Sequence, residues 1–350
     1  MSPKSVLSCC VALVALAGVA LPARAESDAQ IYAKAKTEKT LVFYAGGPTA
    51  PWEAAATQFK QLYPGIDVTI TGGFSNVLDL KIDDQLKARK LEVDMAFFQT
   101  VQDYVRWKKE GVLLKFKPEG FDKIDDHWKD KDGAYVGVSI NAHPYAYNPQ
   151  LVKPADVPKS ALDFLKPEFR GKVVAAYPQD DDATLYDFDS IVRKYGWSYM
   201  EKYMANQPNF IQGHLGVARS ISAGDNLVTL DTIASISLDE KSAGKPQELA
   251  FSKVDPLPVW PLTTAIFKDA PHPNAAKLFL NFYLSKDFQK TLHTWSSRSD
   301  VPPPAGLKPV LSYHVVNSYR EFLTNQKALV ALRAKYAKLV GPITNKGGVR

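Results

Sequence analysis

A chain of 350 residues, 45% hydrophobic and 23% charged, has the balance of a soluble globular protein with room for two cores rather than of a disordered or membrane one. Its formal charge of +6 is scattered along the sequence rather than clustered, which gives no basis for a nucleic-acid partner.

The first 25 residues stand apart. Lys4 supplies a positive start, Val11 to Leu21 is an apolar run too short to cross a bilayer, and Ala23-Arg24-Ala25 gives an A-x-A pattern. These features predict a secretory signal peptide over residues 1–25, cut after Ala25. Both cysteines, Cys9 and Cys10, fall inside it, too early for lipoprotein attachment. The mature chain keeps 41 basic and 37 acidic residues, a net charge of +4, and no cysteine. It can form neither disulfides nor thiolate metal sites, so its stability must come from core size.

Ile31 to Lys39 reads as a short opening helix, and Leu41-Val42-Phe43-Tyr44 as a first buried strand. That strand ends in Ala45-Gly46-Gly47-Pro48-Thr49, where glycines let backbone N–H groups approach a ligand, before a helix from Pro51 to Tyr63. Ile66 to Ile70 alternates like a strand and runs into Thr71-Gly72-Gly73-Phe74-Ser75-Asn76, with a helix through Ile82 and Leu86 beyond. Val93 to Phe98 is a third strand, ending at Gln99-Thr100. Three β-α units in succession predict a parallel, doubly wound sheet.

After Gly111 the rhythm changes. Ala134–Ser139 and Pro144–Asn148 read as strands without a helix between them, suited to crossing from one domain to another. A second α/β unit opens at Val173-Val174-Ala175-Ala176, followed by the polar turn Tyr177-Pro178-Gln179-Asp180-Asp181-Asp182 and helices at Leu185–Tyr195 and Ser198–Ala205. A ligand in an open α/β sheet binds at such a strand's carboxyl end, whereas the plain alternative is that the aspartates cap the helix. Another helix starts at Val217, Leu227–Ile236 is strand-like, and Leu257–Phe267 returns as a strand toward the first domain. Asn274–Phe282 and Lys286–Trp295 read as amphipathic helices, and Val315–Ala337 as a periodic helical tail.

Several stretches carry a resemblance. They are Leu41–Tyr44 with Tyr63-Pro64-Gly65-Ile66-Asp67-Val68, Val93–Ala96 with Lys109-Glu110-Gly111-Val112-Leu113, and Phe169-Arg170-Gly171-Lys172-Val173. The most specific is Asp269-Ala270-Pro271-His272-Pro273-Asn274-Ala275-Ala276-Lys277-Leu278-Phe279 running into Leu284-Ser285-Lys286. Over nearly the whole mature chain the sequence resembles the periplasmic solute-binding proteins of ABC importers, in the two-lobed type II branch that includes the ferric-iron binders. The resemblance implies two Rossmann-like α/β lobes joined by crossing strands. Residues 26–145 and 258–350 would form the first and residues 146–257 the second. It also implies a monomer in the periplasm that closes on a small solute and docks on an inner-membrane ABC permease. A sensor subunit docking on a membrane receptor would share every one of these features.

Iron-binding members use a His in the first turn, an acid at the third strand's end and a Tyr-Tyr pair in the second lobe. Here those places hold Gly46-Gly47-Pro48-Thr49, Phe98-Gln99 and Asp231-Thr232, so protein-ligated iron is not expected, and neither a metal nor a cofactor is assigned. A ferric-iron or metal-chelate binder remains the alternative. The expected solute is small, polar and organic. The candidate binding residues are Tyr44, Gly46, Gly47, Phe74, Ser75, Gln99, Asn141, His143, Tyr145, Gln179, Asp180, Asp181, Arg219 and Asp231. Two versions of the second-lobe turn stand open. Either its acids meet a cationic part of the solute, or they cap the helix while the Gln179 amide faces an anion. Core packing competes for the aromatic candidates, most of all for Phe98 and Tyr177. Trp260, near Pro258 and Pro261, is a candidate stiffener of the return strand. An exported hydrolase is the enzymatic rival, with Asp180–Asp182 as paired carboxylates. Neighbouring residues at a helix start point apart, however, and neither a G-x-S-x-G elbow nor an H-E-x-x-H motif occurs, so no enzyme is expected.

Overall fold

A computed structural model describes residues 26–345; the expected signal peptide lies outside them. α1 (Asp28–Glu38) opens on a capping box between Ser27 and Gln30. Then come β1 (Thr40–Gly46), α2 (Ala50–Leu62), β2 (Asp67–Gly73), α3 (Ser75–Lys87), β3 (Met95–Phe98) and α4 (Val101–Glu110). β1 lies between β2 and β3, parallel to both, so α2, α3 and α4 all begin at the same edge of the sheet.

β4 (Val136–Ala142) belongs to this sheet, and only His143 and Pro144 separate it from β5 (Tyr145–Tyr147), which belongs to another. The second lobe continues with β6 (Val174–Ala176), α5 (Asp182–Tyr195), α6 (Trp197–Ala205), β7 (Asn209–Ile211), α7 (His214–Ala223), β8 (Val228–Thr229), α8 (Ala234–Ser242) and β9 (Glu248–Ala250). β6 pairs β7 in parallel, β5 lies between β8 and β9, and a parallel bridge from Val173 to Val228 joins the two groups. The return is β10 (Leu257–Ile266), antiparallel to both β3 and β4, followed by α9 (Pro273–Leu284), α10 (Lys286–Gln289) and β11 (Trp295–Ser296). β12 (Val315–Val316), α11 (Tyr319–Thr324) and α12 (Gln326–Val340) complete the chain. The large sheet runs β11-β4-β10-β3-β1-β2, with β12 beside the start of β10.

Two buried clusters match the two lobes. The first gathers Phe43, Trp52, Phe97, Phe279 and Tyr283 between the large sheet and α2 and α9, and the second surrounds Phe188, Tyr199 and Tyr203. The segment around His272 is an anchor. Its backbone N–H and Nδ1 meet the Asp94 carboxylate at 2.6 and 3.0 Å, and Glu38 accepts from the N–H groups of Asn274 and Ala275 at the start of α9. A carboxylate at a helix N-terminus supplies partners for donors that the helix itself leaves open.

Three expectations change. The helix expected over Lys286–Trp295 stops at Gln289, because Trp295 is drawn into the first core, where its Nε1 donates to the Lys308 carbonyl, and pairs with β4 as a strand. The strand expected over Leu227–Ile236 ends at Thr229, whose hydroxyl accepts from the Asp231 N–H and turns the chain inward. The tail is not one helix: it begins as β12, and Asn325 caps a separate α12. Tyr319, Leu323, Leu329 and Tyr336 of that tail pack in the second core, although residues 258–350 were expected to belong wholly to the first lobe.

Arg333 of α12 forms an ion pair with Asp182, the first residue of α5. Burial raises the Asp182 carboxyl to about 6 although Arg333 lowers it. Arg333→Ala is therefore expected to cost about 1–3 kcal/mol at pH 8 and much less at pH 5, where protonated Asp182 no longer needs its partner. Urea melts at the two pH values would show this; equal losses at both would mean that Arg333 acts through packing alone.

Candidate functional site

The strand ends of the two lobes face one another. From the first lobe come the turns after β1 and β2 and the first turns of α3 and α4. From the second come the turn Tyr177–Asp181 and the Gln212–Gly213 link into α7. Two contacts cross between them. Asn76 Nδ2 donates to the Asp180 carbonyl at 3.5 Å, and a Cβ added to Gly213 would lie 3.6 Å from the Phe74 ring. Gly47 takes φ +87° and donates its N–H to the Gly73 carbonyl at 2.8 Å, a conformation that favours glycine. Gly46 is packed so closely on Ser75 that an added Cβ would fall 2.3 Å from the Ser75 hydroxyl.

The second-lobe aspartates divide their work. Asp181 is the N-cap of α5 and accepts from the N–H groups of Ala183 and Thr184 at 2.8 and 3.1 Å. Asp182 holds Arg333, and Asp180 Oδ2 accepts from Gln212 Nε2 at 2.7 Å. The Gln179 amide donates to the Gly341 carbonyl at 2.9 Å, so the donor that would have faced an anion is taken by the tail. Its Oε1 is buried without a partner.

Other candidates are spent inside the protein. Tyr145 stacks edge-on against Phe164 in the second core and donates to Asp255 Oδ2 at 2.7 Å. Phe98 is fully buried in the first core. The Tyr177 hydroxyl accepts from the N–H groups of Thr344 and Asn345, and the Tyr44 hydroxyl accepts from Gln85 Nε2 at 3.0 Å. Gln99 lies at the end of β3, its carbonyl accepting from the Val101 N–H, and Asn141 is a β4 residue opposite Trp260. Arg219 sits on an exposed face of α7.

Two carboxylates absent from the expected set stand at the same edge. Asp79, in the second turn of α3, and Asp103, in the first turn of α4, are 8% and 7% exposed. Burial first, and then the charge of Asp103, raise the Asp79 carboxyl to about 8. Asp103 Oδ1 accepts from Arg106, and a side-chain hydrogen bond between Asp79 and Asp103 adds to the rise of the Asp79 carboxyl. The Asp103 charge is also felt by Asp182 across the lobe boundary. In the sequence Asp103 is indistinguishable from an acid that complements a helix dipole, and Asp79 from an ordinary polar position on a helix.

Deeper in the second lobe, Asp231, His143 and His214 come together, all buried, with ligand-type atoms within 4.8 Å of one another. Asp231 Oδ2 accepts from the Ala176 N–H at 2.8 Å, and Thr184 Oγ1 lies 3.2 Å from both carboxylate oxygens. His214 Nε2 is 3.0 Å from Asp231 Oδ1. Burial lowers the His143 imidazole to about 3, whereas Asp231 and Asp181 outweigh burial at His214 and raise it to about 9. Asp231, the preferred acidic candidate for the solute, is therefore an internal group. His214 escaped notice because a single histidine at a helix start, after Gly213, carries no pattern of its own.

Two α/β lobes that meet at their strand ends, joined through His143-Pro144 and β10, define a periplasmic-binding-protein architecture. A family profile for bacterial extracellular solute-binding proteins matches residues 91–316, well over half of the chain, and the chain belongs to that family. Among solved structures it is similar to AfuA of Actinobacillus pleuropneumoniae with exogenous fructose-6-phosphate bound, at TM-score 0.73 and 19% identity over 86% of this chain and 98% of that one. It is also similar to iron-bound HitA of Pseudomonas aeruginosa, at TM-score 0.70 and 21% identity over 85% and 99%. In sequence it matches a probable ABC transporter periplasmic-binding protein, y4fP, of Sinorhizobium fredii (strain NBRC 101917 / NGR234), 26% identical over 107 residues. A second match is an Fe(3+)-binding periplasmic protein of Serratia marcescens, 30% identical over 54 residues. These sequence matches cover 28% and 15% of this chain, and only 30% and 16% of the curated relatives' own lengths.

Proposed function

We propose that this chain is the exported solute-binding component of an ABC importer. It captures a small, polar organic solute bearing a positive charge between its lobes and presents it to a membrane permease, without making or breaking bonds. Residues 26–142 and 257–317 are read as the first lobe, and residues 145–256 with the two tail helices as the second.

One observation carries the charge assignment: beside the Thr100 hydroxyl, which can donate or accept, the buried polar atoms left without a partner at the facing strand ends are acceptors, Gln102 Oε1 and Gln179 Oε1, with the Asp79–Asp103 carboxyl pair next to them. Buried acceptors without donors are costly, and an ammonium or guanidinium supplies donors only. Asp79, Asp180 and Asp182 lie in the same region, and the Gln179 amide that an anion would need is engaged elsewhere.

Mass spectrometry of small molecules released from the denatured mature protein, followed by a thermal-shift panel, tests this reading. An amine or zwitterion at a hundred times its Kd adds about 2.7 kcal/mol to stability, a clear rise in Tm. Recovery of a carboxylate or phosphate without a cationic group would overturn the charge assignment, and steady turnover of any ester or glycoside would overturn the receptor role.

A further inference from the structure

We propose that His143, His214, Asp231 and Asp187 form a site for one divalent transition-metal ion of the Zn²⁺ class, set in the second lobe beneath the floor of the cleft. This goes beyond the solute reading and does not depend on it.

The donor set comes from four separate elements. His143 is the first residue of the link between β4 and β5, Asp187 is on α5, His214 opens α7, and Asp231 follows β8. His143 Nδ1 lies 3.3 Å from Asp231 Oδ1 and 3.6 Å from Asp187 Oδ2, and His214 Nε2 lies 3.0 Å from Asp231 Oδ1. Nitrogen and oxygen ligands about 2.0–2.1 Å from a tetrahedral zinc stand roughly 3.3–3.4 Å apart, so the spacings among His143, His214 and Asp231, whose ligand atoms all lie within 4.8 Å of one another, approximate edges of such a polyhedron, whereas Asp187 stands outside that group and would close in as the fourth ligand. Imidazole and carboxylate together suit zinc and its neighbours rather than calcium or magnesium.

A structural ion pair does not account for the whole cluster. His214 and Asp231 satisfy each other, but both ring nitrogens of His143 and Asp187 Oδ2 are buried with no hydrogen-bond partner. Side-chain exposure is 0% at His143 and 3% at Asp187. An imidazole that neither donates nor accepts, with two carboxylates within 3.6 Å, is the arrangement a cation completes. The outer contacts also fit. Asp231 Oδ2 is fixed by the Ala176 N–H, and the far nitrogen of His214 faces Asp181 Oδ2 at 3.7 Å, just beyond hydrogen-bond reach. Because His143 sits on the link between lobes, the ion would pin that link to the second lobe. Trp260 of β10 covers the His143 ring edge-on at 4.5 Å.

The test uses the EDTA-treated mature protein. Titration with Co²⁺ is expected to give visible ligand-field bands of a four-coordinate ion, saturating at one equivalent and abolished by Zn²⁺, and Zn²⁺ is expected to raise Tm. His143→Ala and, separately, Asp187→Asn are expected to weaken Co²⁺ binding more than about 100-fold while circular dichroism stays native. Absence of the bands in the wild-type protein overturns the proposal whatever the variants do. So does binding that survives in His143→Ala, which would place the ion at exposed pairs such as His127–Asp125 or His293–Asp239. Solute binding in the thermal-shift panel is read separately, so either result can fail alone.

Discussion

Phe97→Ala is expected to lower the stability of the first lobe by about 3–5 kcal/mol, because truncating a buried aromatic loses transfer energy and leaves a cavity. Phe97 is fully buried on β3, at the centre of the large sheet. Its ring lies 4.4 Å from Trp52, 5.3 Å from Phe43, 5.6 Å from Tyr283 and 6.1 Å from Phe279, so a single truncation removes one member of four aromatic contacts. Such pairs add about 0.5–1.5 kcal/mol each beyond the area they bury, and four rings packed against one another, Phe43 and Phe279 edge to face with Phe97, and Trp52 and Tyr283 tilted against it, cannot easily collapse into the hole. The second core shares none of these side chains, so the loss falls on the first-lobe transition. Urea melts followed by near-ultraviolet dichroism check this. A loss below about 1 kcal/mol would mean that the cluster relaxes around the gap.

The first half of the architecture was legible because each of its strands is a short β-branched or aromatic run ended by glycine or a polar turn, and local pattern decides such cases. What local pattern cannot decide is where a segment finds its partner. Trp295 has the spacing of a helix face, yet a gap beside β4 makes it a strand. The tail has the periodicity of one helix, yet Asn325 divides it and the second core takes its apolar face. The segment around His272, which carried the family resemblance best, works as an anchor for α9 through Asp94 and Glu38. Site residues were hardest to read for the same reason. Asp231 and His143 were identifiable as unusual, but only the fold brings His214 and Asp187 to them from 17 and 44 residues away. Likewise Asp79 and Asp103 become a pair only because β2 and β3 flank β1 in parallel and set the beginnings of α3 and α4 at one edge.

That pair gives the second large effect, which links stability to capture. Burial and the neighbouring Asp103 charge place the Asp79 carboxyl at about 8, far above an unfolded carboxyl. A raised folded value means that the contribution to stability is complete below about pH 4 and is lost as pH rises through about 8. Wild-type protein without solute is therefore expected to lose stability steadily from pH 5 to about pH 8 and to level off above it. Asp79→Asn, which keeps the shape but cannot ionise, is expected to be flatter over that range and more stable than wild type at pH 9. A cationic solute reverses the preference, because it favours the ionised pair that the free protein resists. Its affinity for wild type is then expected to rise by up to about tenfold per pH unit toward pH 8 and to level off above it. In Asp79→Asn the affinity is expected to be weaker at pH 8 and nearly independent of pH. Calorimetric titration of the recovered solute at pH 6, 7, 8 and 9 measures both slopes. A wild-type affinity that falls as pH rises, or an equal slope in the variant, would separate the carboxylate pair from the solute and leave it a purely structural contact between α3 and α4.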